Sequence, residues 1–207
     1  MNLYKVLKKM LAGIFYVVYN LKVHNPENIP DTGRYVVVSN HISLGDVLIL
    51  AISCKRQIYF MAKKELFKIF GLAQLLKALG AFPVDRSGSA VSALKTAVRH
   101  LEQDRLLGLF PQGTRQRGKS VLDTEFKTGA AFCSYKASAG FIPVYIKTKG
   151  QRFCLFRRCD IYYGKPVEFD TLPFGVGGSD EYKAVTDVIK SEIYTLEELA
   201  YGGKYNG

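Results

Sequence analysis

The sequence predicts one α/β domain, a single layer of mostly buried mixed sheet flanked by helices. Three observations carry that expectation. The chain has 207 residues, 48% hydrophobic and 23% charged, which suits one globular unit with a sizeable core. Short β-branched or apolar runs without polar alternation read as strands covered on both faces. Segments with apolar residues three and four positions apart separate those runs, as in an α/β architecture.

The first strand is expected at 34–39, around Tyr35-Val36-Val37-Val38, and residues 43–54 follow with helical spacing. A second strand is placed at 58–61, a helix at 65–79 and an extended piece at 81–84. Residues 89–103 form an amphipathic helix, because Val91, Leu94, Val98 and Leu101 fall on one face. Further strands are expected at 106–110, 141–147 and 153–163, with an extended 166–169 after the last. Helices are expected at 127–138 and 181–199. Glycines near 174–178 and 202–207 mark a loop and a tail.

Residues 1–22 are set apart from the domain at 23–207. Lys5, Lys8 and Lys9 precede an apolar run from Met10 to Tyr19. That run is too short to cross a bilayer as a simple helix, and no small-residue cleavage site follows it. A basic turn before an aromatic-rich apolar helix suits the membrane interface, with Phe15, Tyr16 and Tyr19 as anchors. The same helix packed on the domain's own core is the other reading.

The net charge of +11 favours a polyanion, either nucleic acid or an anionic membrane surface. The basic residues are dispersed and form no nucleic-acid-binding motif, so the expected partner is the membrane and not nucleic acid. Cys54, Cys133, Cys154 and Cys159 make no C-x-x-C pair, and with three histidines they close no zinc pattern. No metal and no disulfide framework are expected, which points to a reducing compartment.

Chemistry concentrates after the first strand, in Ser39-Asn40-His41-Ile42-Ser43-Leu44-Gly45-Asp46. Strand ends of this kind are where α/β folds place functional groups. A turn that folds back brings His41 against Asp46, giving a base and a group that fixes its tautomer. Three more blocks follow in order: Gly80-Ala81-Phe82-Pro83-Val84-Asp85-Arg86, Phe110-Pro111-Gln112-Gly113-Thr114-Arg115, and Phe141-Ile142-Pro143-Val144. Two supporting stretches are Ala62-Lys63-Lys64-Glu65-Leu66-Phe67 and Phe126-Lys127-Thr128-Gly129-Ala130.

This ordered set, from about His24 to Phe169, resembles the glycerolipid acyltransferase family, in particular its bacterial 1-acylglycerol-3-phosphate acyltransferases. The resemblance implies acyl transfer from a thioester of acyl carrier protein or coenzyme A to the free hydroxyl of a lysophospholipid. The expected product is phosphatidic acid, and no cofactor is required beyond the co-substrate. It implies His41 and Asp46 as catalytic residues. Arg86 and Arg115 would pair phosphate oxygens through their guanidinium forks, and Gly113 and Thr114 would approach the phosphate closely. Lys63 would serve near the thioester oxyanion or near the phosphate. An enzyme of this kind is expected at the cytoplasmic face of the cell membrane, as a peripheral or monotopic protein.

One position departs from the family's F-P-E-G-T-R block, which has Gln112 in place of glutamate here. An amide keeps one acceptor, adds two donors and loses the charge. Gln112 is read as an acceptor-binding residue, and its change of type leaves the acceptor open. Glycerol-3-phosphate or another lysolipid is the alternative, and a basic membrane-binding domain without turnover is the non-enzymatic one.

Overall fold

The computed structural model describes residues 20–84, 90–149 and 157–202, together with Gly13, Tyr16 and Val18, which are helical. Most of 1–22, the segment expected at the membrane interface, lies outside the described residues. So do Asp85, Arg86 and the first residues of the strand expected at 153–163. Seven strands are described: β1 (Leu21–His24), β2 (Tyr35–Ser39), β3 (Ile58–Lys63), β4 (Ala81–Val84), β5 (Leu106–Leu109), β6 (Gly140–Thr148) and β7 (Cys159–Tyr163). Five helices accompany them: α1 (Asp46–Ser53), α2 (Leu72–Ala78), α3 (Ala90–Leu101), α4 (Gly129–Ala137) and α5 (Ser179–Ala200).

The strands form one sheet in the order β1-β7-β6-β2-β5-β3-β4. Among the pairings of the described strands only β6–β7 is antiparallel, so the sheet is mixed, as the sequence predicts. All five residues of β2 are buried, because it lies between β6 and β5 with helices on both faces. Its side chains alternate as the pleat requires. Val36 and Val38 join the core under α3, α4 and α5, while Val37 joins the core under α1. The two cores fix β2 rigidly, and the loop leaving its C-terminal end inherits that rigidity.

Three expectations need correcting. The boundary after residue 22 falls inside a strand, because Leu21 and Lys22 pair with Cys159 and Asp160. Four residues with only two apolar side chains give too weak a pattern to read. The helix expected over 65–79 is broken: Lys64–Lys68 is a 3-10 turn and only Leu72–Ala78 is α-helical. Gly71 sits between them at φ 78°, a left-handed conformation that an α-helix cannot contain. Of the described part of the strand expected at 153–163, Arg157 and Arg158 stand outside the strand, which runs Cys159–Tyr163.

Among the described residues no helix is long and apolar enough to cross a membrane. Leu66, Ile69, Phe70 and Leu75 are nonetheless exposed, Phe70 at 94%, in the segment that leaves the C-terminal end of β3.

Candidate active site

The site is built where the central parallel strands end. His41 follows β2, Phe110 and Gln112 follow β5, and Lys63 closes β3, so three loops rise from one edge of the sheet. Asn40 anchors the first loop. Its side-chain amide donates to the carbonyl of Ile146 (3.0 Å) and accepts from the Ile146 N–H (2.8 Å), adding a side-chain rung where the β2–β6 ladder stops. The loop therefore leaves the sheet at a fixed point.

It then folds back onto α1. Asp46, the first residue of that helix, is fully buried, and its Oδ2 accepts from His41 Nδ1 at 2.7 Å. The same oxygen accepts from the backbone N–H groups of Ile42 (2.7 Å) and Ser43 (2.8 Å). An aspartate in a helix's first turn is well placed to take up N–H groups that lack helical partners, and the N-terminal dipole favours its charge. All three bonds fall on Oδ2, and two of the three donors are neutral backbone groups. Since a carboxylate can only accept, Nδ1 carries the proton and Nε2 keeps the lone pair. Phe110 stacks on the ring at 4.2 Å, and His41 remains 16% exposed, so the imidazole is gripped but reachable.

Cys159 is buried in the core under α1. Burial pushes its thiol up to about 12, with the Asp46 and Asp160 charges adding to the effect. It stays protonated and sets no second negative charge beside Asp46. Cys54 and Cys133 are likewise buried.

The 110–117 loop packs against the His41 loop through its backbone. Gln116 N–H donates to the His41 carbonyl (2.7 Å), and Arg117 Nε donates to the Ile42 carbonyl (3.1 Å). Gln112 is buried, with Oε1 accepting from the His41 N–H at 2.7 Å and Nε2 donating to Thr124 at 2.9 Å. Both ends of the amide expected to touch the acceptor are therefore occupied within the protein. Gly113 turns the loop outward at φ 71°, and a side chain there would meet Lys127 Cε at 2.9 Å. Thr114, Arg115, Arg117 and Lys119 are exposed beyond it, and Thr114 Oγ1 accepts from the Gln116 side chain. Lys63 is exposed at the end of β3, two strands from β2, which is about 10 Å at ordinary strand spacing. Arg86 follows β4 and lies outside the described residues.

Sequence reasoning missed Arg117, Lys127 and Thr124. Lys127 sat in a recognised stretch, but its stem packing on Gly113 is a tertiary contact. Arg117 lies just past the third block and no spacing rule singles it out.

A histidine held by a buried carboxylate thus stands where the parallel strands end, with the exposed cations Lys63, Arg115 and Arg117 on neighbouring loops. Comparison with known proteins gives the class. The family profile described as "Acyltransferase" matches residues 20–147, and the chain belongs to that family. The 1-acyl-sn-glycerol-3-phosphate acyltransferase of Bacillus subtilis is 30% identical over 201 residues, covering 94% of this chain and 97% of that protein. The enzyme of the same name from Streptococcus pneumoniae is 31% identical, covering 86% of this chain and 67% of that protein. The crystal structure of the 1-acyl-sn-glycerophosphate (LPA) acyltransferase PlsC from Thermotoga maritima superposes with a TM-score of 0.69 at 24% identity, covering 94% of this chain and 81% of that one. That likeness concerns the fold.

Proposed function

We propose that this acyltransferase moves a fatty acyl group from a thioester of acyl carrier protein or coenzyme A to the free hydroxyl of 1-acylglycerol-3-phosphate, giving phosphatidic acid. The observation that carries the reading is the His41–Asp46 pair, 2.7 Å apart, in a chain whose relatives are named for that reaction. With Nδ1–H committed to Asp46, Nε2 takes the proton of the acceptor hydroxyl as its oxygen attacks the thioester carbonyl. The tetrahedral oxyanion collapses, the C–S bond breaks, and the departing thiolate receives the proton from the His41 imidazolium. No acyl-enzyme is needed, because the acceptor's own hydroxyl is the nucleophile. No metal or organic cofactor enters this scheme.

Arg115 is assigned to the acceptor phosphate, with Thr114 and Lys63 as further donors and Arg86 joining from the end of β4. Arg115, Thr114 and Lys63 are polar or cationic groups at the edge of the sheet where His41 stands. A peripheral position on an anionic, cytoplasm-facing membrane surface fits two features. Leu66, Ile69, Phe70 and Leu75 are exposed, and Lys63, Lys64, Lys68 and Lys77 lie among them.

The test is a product assay by mass spectrometry, pairing acyl carrier protein and coenzyme A thioesters with lysophosphatidate, glycerol-3-phosphate and zwitterionic lysolipids. Phosphatidate from lysophosphatidate is the expected main product. Faster acylation of glycerol-3-phosphate or of a zwitterionic lysolipid overturns the assigned acceptor.

A further inference from the structure

The side chain of Gln112 has a continuation. Its Nε2 donates to Thr124 Oγ1 (2.9 Å), and Thr124 Oγ1 donates to the Val121 carbonyl (2.9 Å). The Val121 N–H donates to Glu197 Oε2 (2.8 Å), which also accepts from Ser120 Oγ (2.9 Å), while Glu197 Oε1 accepts from the Tyr145 hydroxyl (3.1 Å). Gln112, Ser120, Val121, Thr124, Tyr145 and Glu197 are all buried. A line of hydrogen bonds thus runs from Glu197 in α5 through the 120–124 turn to the peptide N–H of His41.

The direction of every bond in that line is fixed by chemistry. The His41 N–H can only donate, so it faces the amide oxygen, and the amide nitrogen must face Thr124. The single Thr124 proton goes to the Val121 carbonyl, which leaves the hydroxyl oxygen to accept from Gln112. A glutamate at 112 reverses the second bond. Thr124 would then have to turn its proton toward the carboxylate and release the Val121 carbonyl.

We infer that Gln112 is a positioning residue, polarity-matched to Thr124, which with Glu197 behind it holds the His41 backbone so that Nε2 meets the acceptor hydroxyl. The inference rests on His41 being the base. It removes Gln112 from the acceptor pocket and accounts for a neutral amide at this place in the chain.

The experiment uses the full chain and steady-state kinetics with acceptor varied. Gln112→Ala lowers kcat about 10- to 100-fold, the range of a displaced catalytic group, and leaves the acceptor KM within about twofold. Thr124→Val lowers kcat about tenfold and Thr124→Ser restores it to within about twofold, because the hydroxyl alone is required. Gln112→Glu moves the acid limb of kcat/KM to higher pH, since a carboxylate beside the imidazolium favours the charged form. Asp46 is the charged group bonded to the ring, Phe110 covers its face, and Arg117 reaches the neighbouring Ile42 carbonyl. A purely structural role would lower the melting temperature and leave that limb in place.

A rise in acceptor KM with kcat preserved in Gln112→Ala overturns the inference in favour of acceptor contact. Wild-type kcat in Thr124→Val overturns it as well. If Gln112→Ala does not fold, the Thr124→Val and Thr124→Ser pair decides. The ratios are read on whichever acceptor the wild type turns over, so a wild type inactive on lysophosphatidate contradicts the proposed acceptor without touching this result.

Discussion

Two histidine–aspartate pairs stand in this sheet at the same separation, and their carboxylates are held differently. His41 Nδ1 and Asp46 Oδ2 are 2.7 Å apart, as are His24 Nε2 and Asp160 Oδ1. In the first pair the carboxylate is fully buried and its other donors are neutral backbone N–H groups, so its charge is undiluted. In the second, Arg158 grips the carboxylate with two bonds of 2.8 Å, a guanidinium fork that already neutralises it. Asp160 is held below the ordinary carboxylate range: burial acts to raise it, and the Arg158 and His24 bonds outweigh that. His24 stacks flat on Tyr162 at 4.2 Å in the edge strand β1, bound through Nε2. A short contact alone therefore does not make a base. What matters is which ring nitrogen is tied down and what else the carboxylate holds.

Breaking the first pair gives the larger effects. Asp46→Asn keeps the shape but replaces an acceptor-only group, so the tautomer and the imidazolium lose their support. Turnover should fall by at least about 100-fold, measured as kcat with circular dichroism confirming the fold. A loss of less than tenfold would show that Asp46 only shapes the loop. Arg115→Ala should raise the acceptor KM about tenfold at nearly constant kcat, the mark of lost binding to the phosphate. An unchanged KM would place the phosphate elsewhere. His24→Ala is the smallest: kcat within about twofold and a melting temperature lower by a few degrees, because the lost bond belongs to an edge strand. If His24→Ala and Asp46→Asn lose turnover equally, the distinction between the pairs collapses.

A fourth expectation concerns the thiols. Burial pushes the Cys133 and Cys159 thiols up to about 12, so thiolate-directed reagents should leave both unmodified in the folded protein at pH 8. Site-resolved mass spectrometry after labelling, native against denatured, checks this.

Much of the fold was legible because its central strands are buried on both faces. Tyr35-Val36-Val37-Val38 and Leu106 to Leu109 announce themselves by composition. β1 was not legible, since an edge strand of four residues with alternating polarity carries little pattern. The break at Gly71 escaped for the opposite reason: apolar spacing continues through 65–79 although the backbone does not. In the site, the Asp46 partner of His41 was readable from a short local loop. Gln112 was readable as a position but not as a role, because its partners lie 71 and 12 residues away along the chain. Asp160 as the partner of His24 depended on strand order, which no local spacing encodes.

The central claim is that His41, and not His24, takes the proton from the acceptor hydroxyl. It is tested most directly by measuring phosphatidate formed from acyl thioester and lysophosphatidate by His41→Ala and His24→Ala beside the wild type. The account predicts a loss of at least about 1,000-fold for His41→Ala in a folded protein and near-normal product for His24→Ala. Product within tenfold of wild type from His41→Ala would contradict it.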